Sequence, residues 1–97
     1  MDTKVIEKYL QVYLDDIISP KVNDELVGED DEPITFKVYR VTYGYSNPNR
    51  INFFIYMDPD YSKGSITHKI NMEISRFFKM LGFDKHLRIY WNKRPLF

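Results

Sequence analysis

Between Asp58 and His68 the chain sets out side chains able to hold a metal ion or a phosphate: Asp58, Asp60, Ser62, Ser65 and His68, with Gly64 among them. Carboxylates at alternate positions followed by a hydroxyl are how calcium loops begin, and glycine beside a hydroxyl is how phosphate loops cradle their ligand. Neither pattern closes. A calcium loop counted from Asp58 needs its glycine one residue before Gly64 and a bidentate glutamate where Lys69 stands. The phosphate loop needs glycine, lysine and hydroxyl in that order, whereas the chain reads Lys63, Gly64, Ser65. A strand-to-helix joint accounts for the same residues: Pro59 cannot donate to a ladder, Asp60 favours a turn, and Ser65 or Ser62 is placed to cap the helix that follows.

Catalytic arrangements are equally thin. Ser65 and His68 lie within one helical turn, but no carboxylate is positioned by the sequence to orient the imidazole. Acid pairs for proton transfer would have to come from Asp15 and Asp16 or from the run Glu29–Glu32, on segments that read as exposed and so lack the burial that tunes catalytic carboxylates. The chain contains no cysteine, which excludes thiolate nucleophiles, disulfides and zinc–thiolate centres. No catalytic residue, metal ligand or cofactor is assigned, and an enzyme is not expected.

The elements that would carry any site are legible from periodicity. Residues 3–18 repeat apolar side chains at Ile6, Leu10, Tyr13, Leu14 and Ile17 with helical spacing, and Asp2 or Thr3 is placed to cap the first turn. Pro20 is expected to end this helix and open an acidic loop over residues 19–33, with a turn of helix or a core contact near Asn23–Val27. Residues 34–43 and 50–57 are β-branched and aromatic and alternate, joined by the hairpin loop GYSNPN in which Gly44 is free to take positive φ. A second helix spans 65–81, with Ile66, Ile70, Ile74, Phe77, Phe78 and Leu81 on one face, closed by Gly82 and Phe83 in a Schellman arrangement. Residues 86–91 form the last strand.

The 97 residues thus predict a single α+β domain, α-β-β-α-β, with a three-stranded, mostly antiparallel sheet and two helices on one face. If the crossover into the last strand passes over the first, the order is 2-1-3 and every neighbour is antiparallel; a last strand lying parallel beside the second is the other possibility. Both helices cover one side, so alternation turns Lys37, Tyr39, Val41, Tyr43, Arg50, Asn52, Phe54, Tyr56, Arg88 and Tyr90 to the other. Aromatic rings interleaved with cations suit a protein interface, whether with another protein or a second copy, and also suit single-stranded nucleic acid. The glycine-containing RNP1 pattern of RNA-binding sheets and the G-x-x-G loop are both missing, which turns the expectation toward a protein partner.

Net charge is zero but divided. Residues 1–33 carry ten acids against three lysines, and residues 34–97 carry four acids against eleven bases. Such a division marks a basic surface with an acidic counterweight, or two solvated faces. No apolar run is long enough for a membrane span and no signal-peptide pattern opens the chain, so a soluble protein of the cytoplasm, or of a virion, is expected. Phe, Tyr, Met, Ile, Asn and Lys make up 44 of the 97 residues and alanine is absent. That bias toward AT-rich codons points to a phage, a virus or another low-GC source.

Overall fold

The structure, a computed structural model, describes residues 2–25, 33–60 and 66–93. Along the chain run α1 (Thr3–Tyr13), a π-helical turn (Leu14–Ile18), α2 (Ser19–Glu25), β1 (Thr35–Tyr43), β2 (Arg50–Asp58), α3 (Ile66–Met80) and β3 (His86–Trp91). The Asp2 carboxylate caps α1, accepting from the Lys4 amide at 2.9 Å. Inward strand residues and one stripe of each long helix form a single apolar core in which Phe53, Leu10, Leu14, Ile34, Ile51, Ile55 and Ile74 are wholly buried. α1 and α3 meet through the stacked rings of Tyr13 and Phe77, 4.0 Å apart, and Phe78 of α3 packs on Phe53 at 5.2 Å.

Pro20 does not end the first helix. In a regular α-helix its ring would strike the carbonyl of Asp16, four residues back. The π-turn ahead of it, in which the Ser19 amide donates to Leu14 O, displaces those carbonyls and lets helical structure run on to Glu25. The wider turn also shifts the buried stripe: Ile18 joins Ile6, Leu10 and Leu14 in the core, and Ile17 is exposed. The first part of the expected acidic loop 19–33 is therefore helix, and Asp15 and Asp16 lie within helical structure instead of at its end. Residues 26–32 lie outside the described residues.

The sheet order is β1-β2-β3, with β1 and β2 antiparallel and β2 and β3 parallel. This is the second of the two orders the sequence allowed, with the last strand parallel beside β2, so the sheet is mixed; the 2-1-3 order fails for an identifiable reason. The place beside β1 is filled by helix side chains that pair with its backbone. Gln11 donates from Nε2 to Phe36 O at 2.9 Å and accepts at Oε1 from the Val38 amide at 2.7 Å. Asn23 accepts from the Ile34 amide at 2.7 Å, while Ser19 donates to Ile34 O at 2.8 Å. With that edge closed, β3 docks beside β2 through α3.

Two turns are built as their residues require, one of them by a different route. Gly82, at φ 79°, donates to Lys79 O, and the Phe83 amide donates to Phe78 O at 3.0 Å, which is the expected Schellman closure with Phe83 folded back on Phe78. Leu81 lies beyond the buried turn and is exposed, not core. Gly44 does not use positive φ; a Cβ there would stand 2.6 Å from Asn47 O, so close approach is what demands glycine. At the far end of the sheet Asn92 accepts from the Met57 amide at 2.6 Å and donates to Met57 O, prolonging the β2–β3 pairing with its side chain.

Removing either amide from the β1 edge leaves buried backbone groups without partners. Gln11→Ala and Asn23→Ala should each destabilise the fold by about 1–3 kcal/mol in urea denaturation. Gln11→Glu retains only the acceptor and should also destabilise, because a carboxylate then faces the Phe36 carbonyl.

Candidate functional site

The sheet face opposite the helices begins at a bulge. β1 and β2 pair in register from Thr35↔Asp58 to Val38↔Ile55, then resume at Arg40↔Phe54, leaving Tyr39 as the extra residue. Beyond it the alternation is inverted. Val41, expected outside, is buried opposite Phe53, and Tyr43 lies opposite Ile51 on the helix side, where Lys85 Nζ stands 5.3 Å from its ring. Val41 and Tyr43 therefore leave the outward set, and Arg40 and Thr42 enter it. Periodicity carried no trace of this, because a bulge is set by local backbone twist and not by a change in residue type.

The other expected residues do come together. Lys37 lies opposite Tyr56, and the Tyr39 ring stacks on that of Tyr56 at 4.1 Å and 19°, with Phe54 tilted beside it at 6.0 Å. Phe54 stacks in turn on Tyr90 of β3 at 4.9 Å and 13°. Arg88 and Lys93 reach over the Tyr90 ring at 5.5 and 5.7 Å. Arg50, aligned with His86, marks the far end of the face. Four half-buried rings thus run across three strands, with Lys37, Arg40, Arg50, Arg88 and Lys93 around them and Asp58 at one corner. None of the described helices packs on this side, since their buried apolar residues all belong to the core on the other.

Two polar atoms on this face, Tyr39 Oη and Asn52 Oδ1, are buried without a hydrogen-bond partner of good geometry. Burial pushes the Tyr39 phenol above its ordinary value of 10.0, the neighbouring Tyr56 hydroxyl adds to the rise, and the Arg40 guanidinium opposes it. On the helix side burial likewise raises Tyr13, while the hydrogen bond from Lys21 at 2.7 Å lowers the Glu73 carboxyl. That ion pair joins the two halves of the chain in the sense opposite to their overall charges, with the base from the acidic part and the acid from the basic part.

The stretch from Asp58 to His68 assembles no metal centre among the described residues. Asp58, Asp60 and His68 are exposed, and among the described residues no three His, Asp or Glu side chains converge. The Ser62 and Ser65 capping expectation and the Glu29–Glu32 run lie outside the described residues.

A phenol raised by folding keeps its proton longer in the native state than in the unfolded chain. Stability is then full below the unfolded value near 10 and falls as pH rises above it. The urea midpoint should drop on moving from neutral pH into that range, and Tyr39→Phe with Tyr13→Phe should flatten the decline while leaving neutral stability near that of the native chain.

Comparison of the chain with protein-family models, with curated proteins and with solved structures finds no match, so the geometry of this face carries the functional reading.

Proposed function

We propose that the protein is a small non-enzymatic interaction module whose outward sheet face, centred on Tyr39, Phe54, Tyr56 and Tyr90, binds a protein surface, either a partner or a second copy. The observation that carries this reading is the mutual stacking of the rings. Tyr39 lies face to face with Tyr56, and Phe54 with Tyr90. Rings stacked in this way use their flat faces on each other and turn edges outward. Single-stranded nucleic acid is held by bases laid on open ring faces, so this geometry suits it less well.

A protein surface asks for something different: aromatic edges at the centre, with guanidinium and ammonium groups at the rim. Lys37, Arg40, Arg50, Arg88 and Lys93 supply that rim. The cations favour a partner with acidic residues around its own apolar centre. The codon bias of the sequence fits a phage- or virus-encoded component of an assembly, or an inhibitor of a host protein, and either role needs one such face.

Phe54→Ser with Tyr90→Ser should abolish self-association in sedimentation, or capture of a specific protein from the source cells, while far-UV circular dichroism and a cooperative unfolding transition persist. Arg50→Gln with Arg88→Gln should weaken binding less than the ring substitutions do. Binding of single-stranded oligonucleotides at physiological salt, lost in the arginine variant with a shallower salt dependence, would replace the protein reading with the nucleic-acid one.

A further inference from the structure

Helix α1 is apolar on two sides. Its inner stripe, Ile6, Leu10 and Leu14, is buried in the core, whereas Val5, Tyr9 and Val12 are 41, 58 and 48 % exposed. Their spacing of four and then three residues stacks them on one outer stripe of the helix. The π-turn lengthens the set: the wider turn that brings Ile18 into the core turns Ile17 out of it, 52 % exposed. From Val5 to Ile17 these side chains follow about 18 Å of helix. No described element packs over them. The described residues on either side of 26–32 are held at the far end of α2, where the Ile34 amide donates to Asn23 Oδ1 at 2.7 Å, roughly 16 Å along the axis from Val12.

The charges beside this stripe change sign along the helix. Lys4 and Lys8 stand in its first half and Asp15 and Asp16 in its second, all exposed. The i, i+4, i+11 spacing of Lys4, Lys8 and Asp15 keeps these three on one flank. Lys8 and Asp16 make no ion pair among the described residues. Lys4 and Asp15 have local contacts: Lys4 Nζ lies 3.9 Å from Glu7, and one carboxylate oxygen of Asp15 accepts from Gln11 Nε2 at 3.0 Å. Of the acids in the first half, Asp2 caps the helix and Glu7 is largely turned from solvent. A helix with exposed bases toward one end and acids toward the other complements a copy of itself laid antiparallel and repels one laid parallel.

We infer that α1 pairs antiparallel with α1 of a second copy across this stripe, giving a two-fold dimer. Centred level with Gln11, the pairing sets Val5 beside Ile17 of the second copy and interleaves Tyr9 and Val12 of both at the middle. It brings Lys8 to within about 1.5 Å, along the axis, of Asp15 of the second copy, and Lys4 to within about 3 Å of Asp16, each twice by symmetry. A lipid surface is the poorer occupant, because Asp15 and Asp16 would meet anionic headgroups with like charge. One helix face offers less than the ~800 Å² per partner of a standard interface, so the dimer is a weak one that depends on concentration. This pairing assigns the second copy to α1 and leaves the outward sheet face to a different protein. The two surfaces lie on different elements, and each is tested without the other.

Sedimentation equilibrium of the full chain should show a reversible monomer–dimer equilibrium. Tyr9→Gln with Val12→Gln, exposed changes that cost little helix propensity, should weaken the dimer about tenfold or more while circular dichroism and the unfolding transition persist. Charge reversal tests the direction of the pairing. Lys4→Glu with Lys8→Glu makes the charges beside the stripe all acidic, and Asp15→Lys with Asp16→Lys makes them all basic; each variant should be monomeric alone, and the two should pair when mixed. Phe54→Ser with Tyr90→Ser should leave the dimer intact. A chain that stays monomeric at ~1 mM, a dimer that Tyr9→Gln with Val12→Gln leaves undiminished, or reversed variants that do not pair when mixed would overturn the inference. A dimer lost with Phe54→Ser and Tyr90→Ser but kept in the α1 variants would overturn it as well, and give the second copy to the outward face.

Discussion

Side-chain amides standing in for a missing strand are what the fold depends on. A three-stranded sheet has two edges, and β1, buried against α1, has no access to water along much of one. Gln11 and Asn23 supply donor and acceptor together in the spacing a neighbouring strand would, and Ser19 completes the set. Everything downstream follows from that closure. It bars β3 from the position beside β1, forces the parallel β2–α3–β3 crossover, and requires the first helix to run past Pro20 so that Ser19 and Asn23 reach Ile34. Asn92 repeats the device at the other end, where β2 outruns β3. Hydrogen bonding with these amides, more than apolar burial, selects this topology from those the hydrophobic pattern allows.

The outward face follows from the same economy of elements. Three helical segments suffice to cover one side of a sheet this small, and the rings on the other side shelter each other. Their stacking across β1, β2 and β3 removes part of their area from water, so the rings are half-buried in the isolated chain. Trp91, by contrast, turns to the helix side, where Nε1 donates to Asn71 Oδ1 at 2.9 Å and ties β3 to α3.

The elements written in strong period were legible in the sequence. α3, its Gly82–Phe83 closure, the β1–β2 hairpin and the inward sets Ile34, Phe36, Val38 and Ile51, Phe53, Ile55, Met57 all follow from residue type and spacing. What was not legible depends on single residues acting through space. Pro20 looked like a stop because the π-turn that accommodates it has no compositional signature. Gln11 and Asn23 carry no signal of their role, because their partners are backbone groups 11 to 27 positions away. Alternation and the structure agree that Lys37, Tyr39, Arg50, Phe54, Tyr56, Arg88 and Tyr90 share the side away from the core. They part at Val41 and Tyr43, because a bulge intervenes between these and the part of the strand that fixes the phase.

That bulge makes β1 two short strands in opposite phase, joined at one adjustable joint. A joint of this kind gives the gene unusual freedom in length. Loss of one codon at Tyr39 would set Val38 and Arg40 on the consecutive partners Ile55 and Phe54, so that Arg40 stays outward and Val41 stays in the core with the bulge simply removed. Loss of a codon within Thr35–Val38, with the Arg40–Tyr43 half held in place, would instead bring Tyr39 opposite Ile55 on the core side or shift the residues before it by one position. Among diverged copies of such a sequence, loss of one residue would then gather at Tyr39, and the core on either side of it would stay constant.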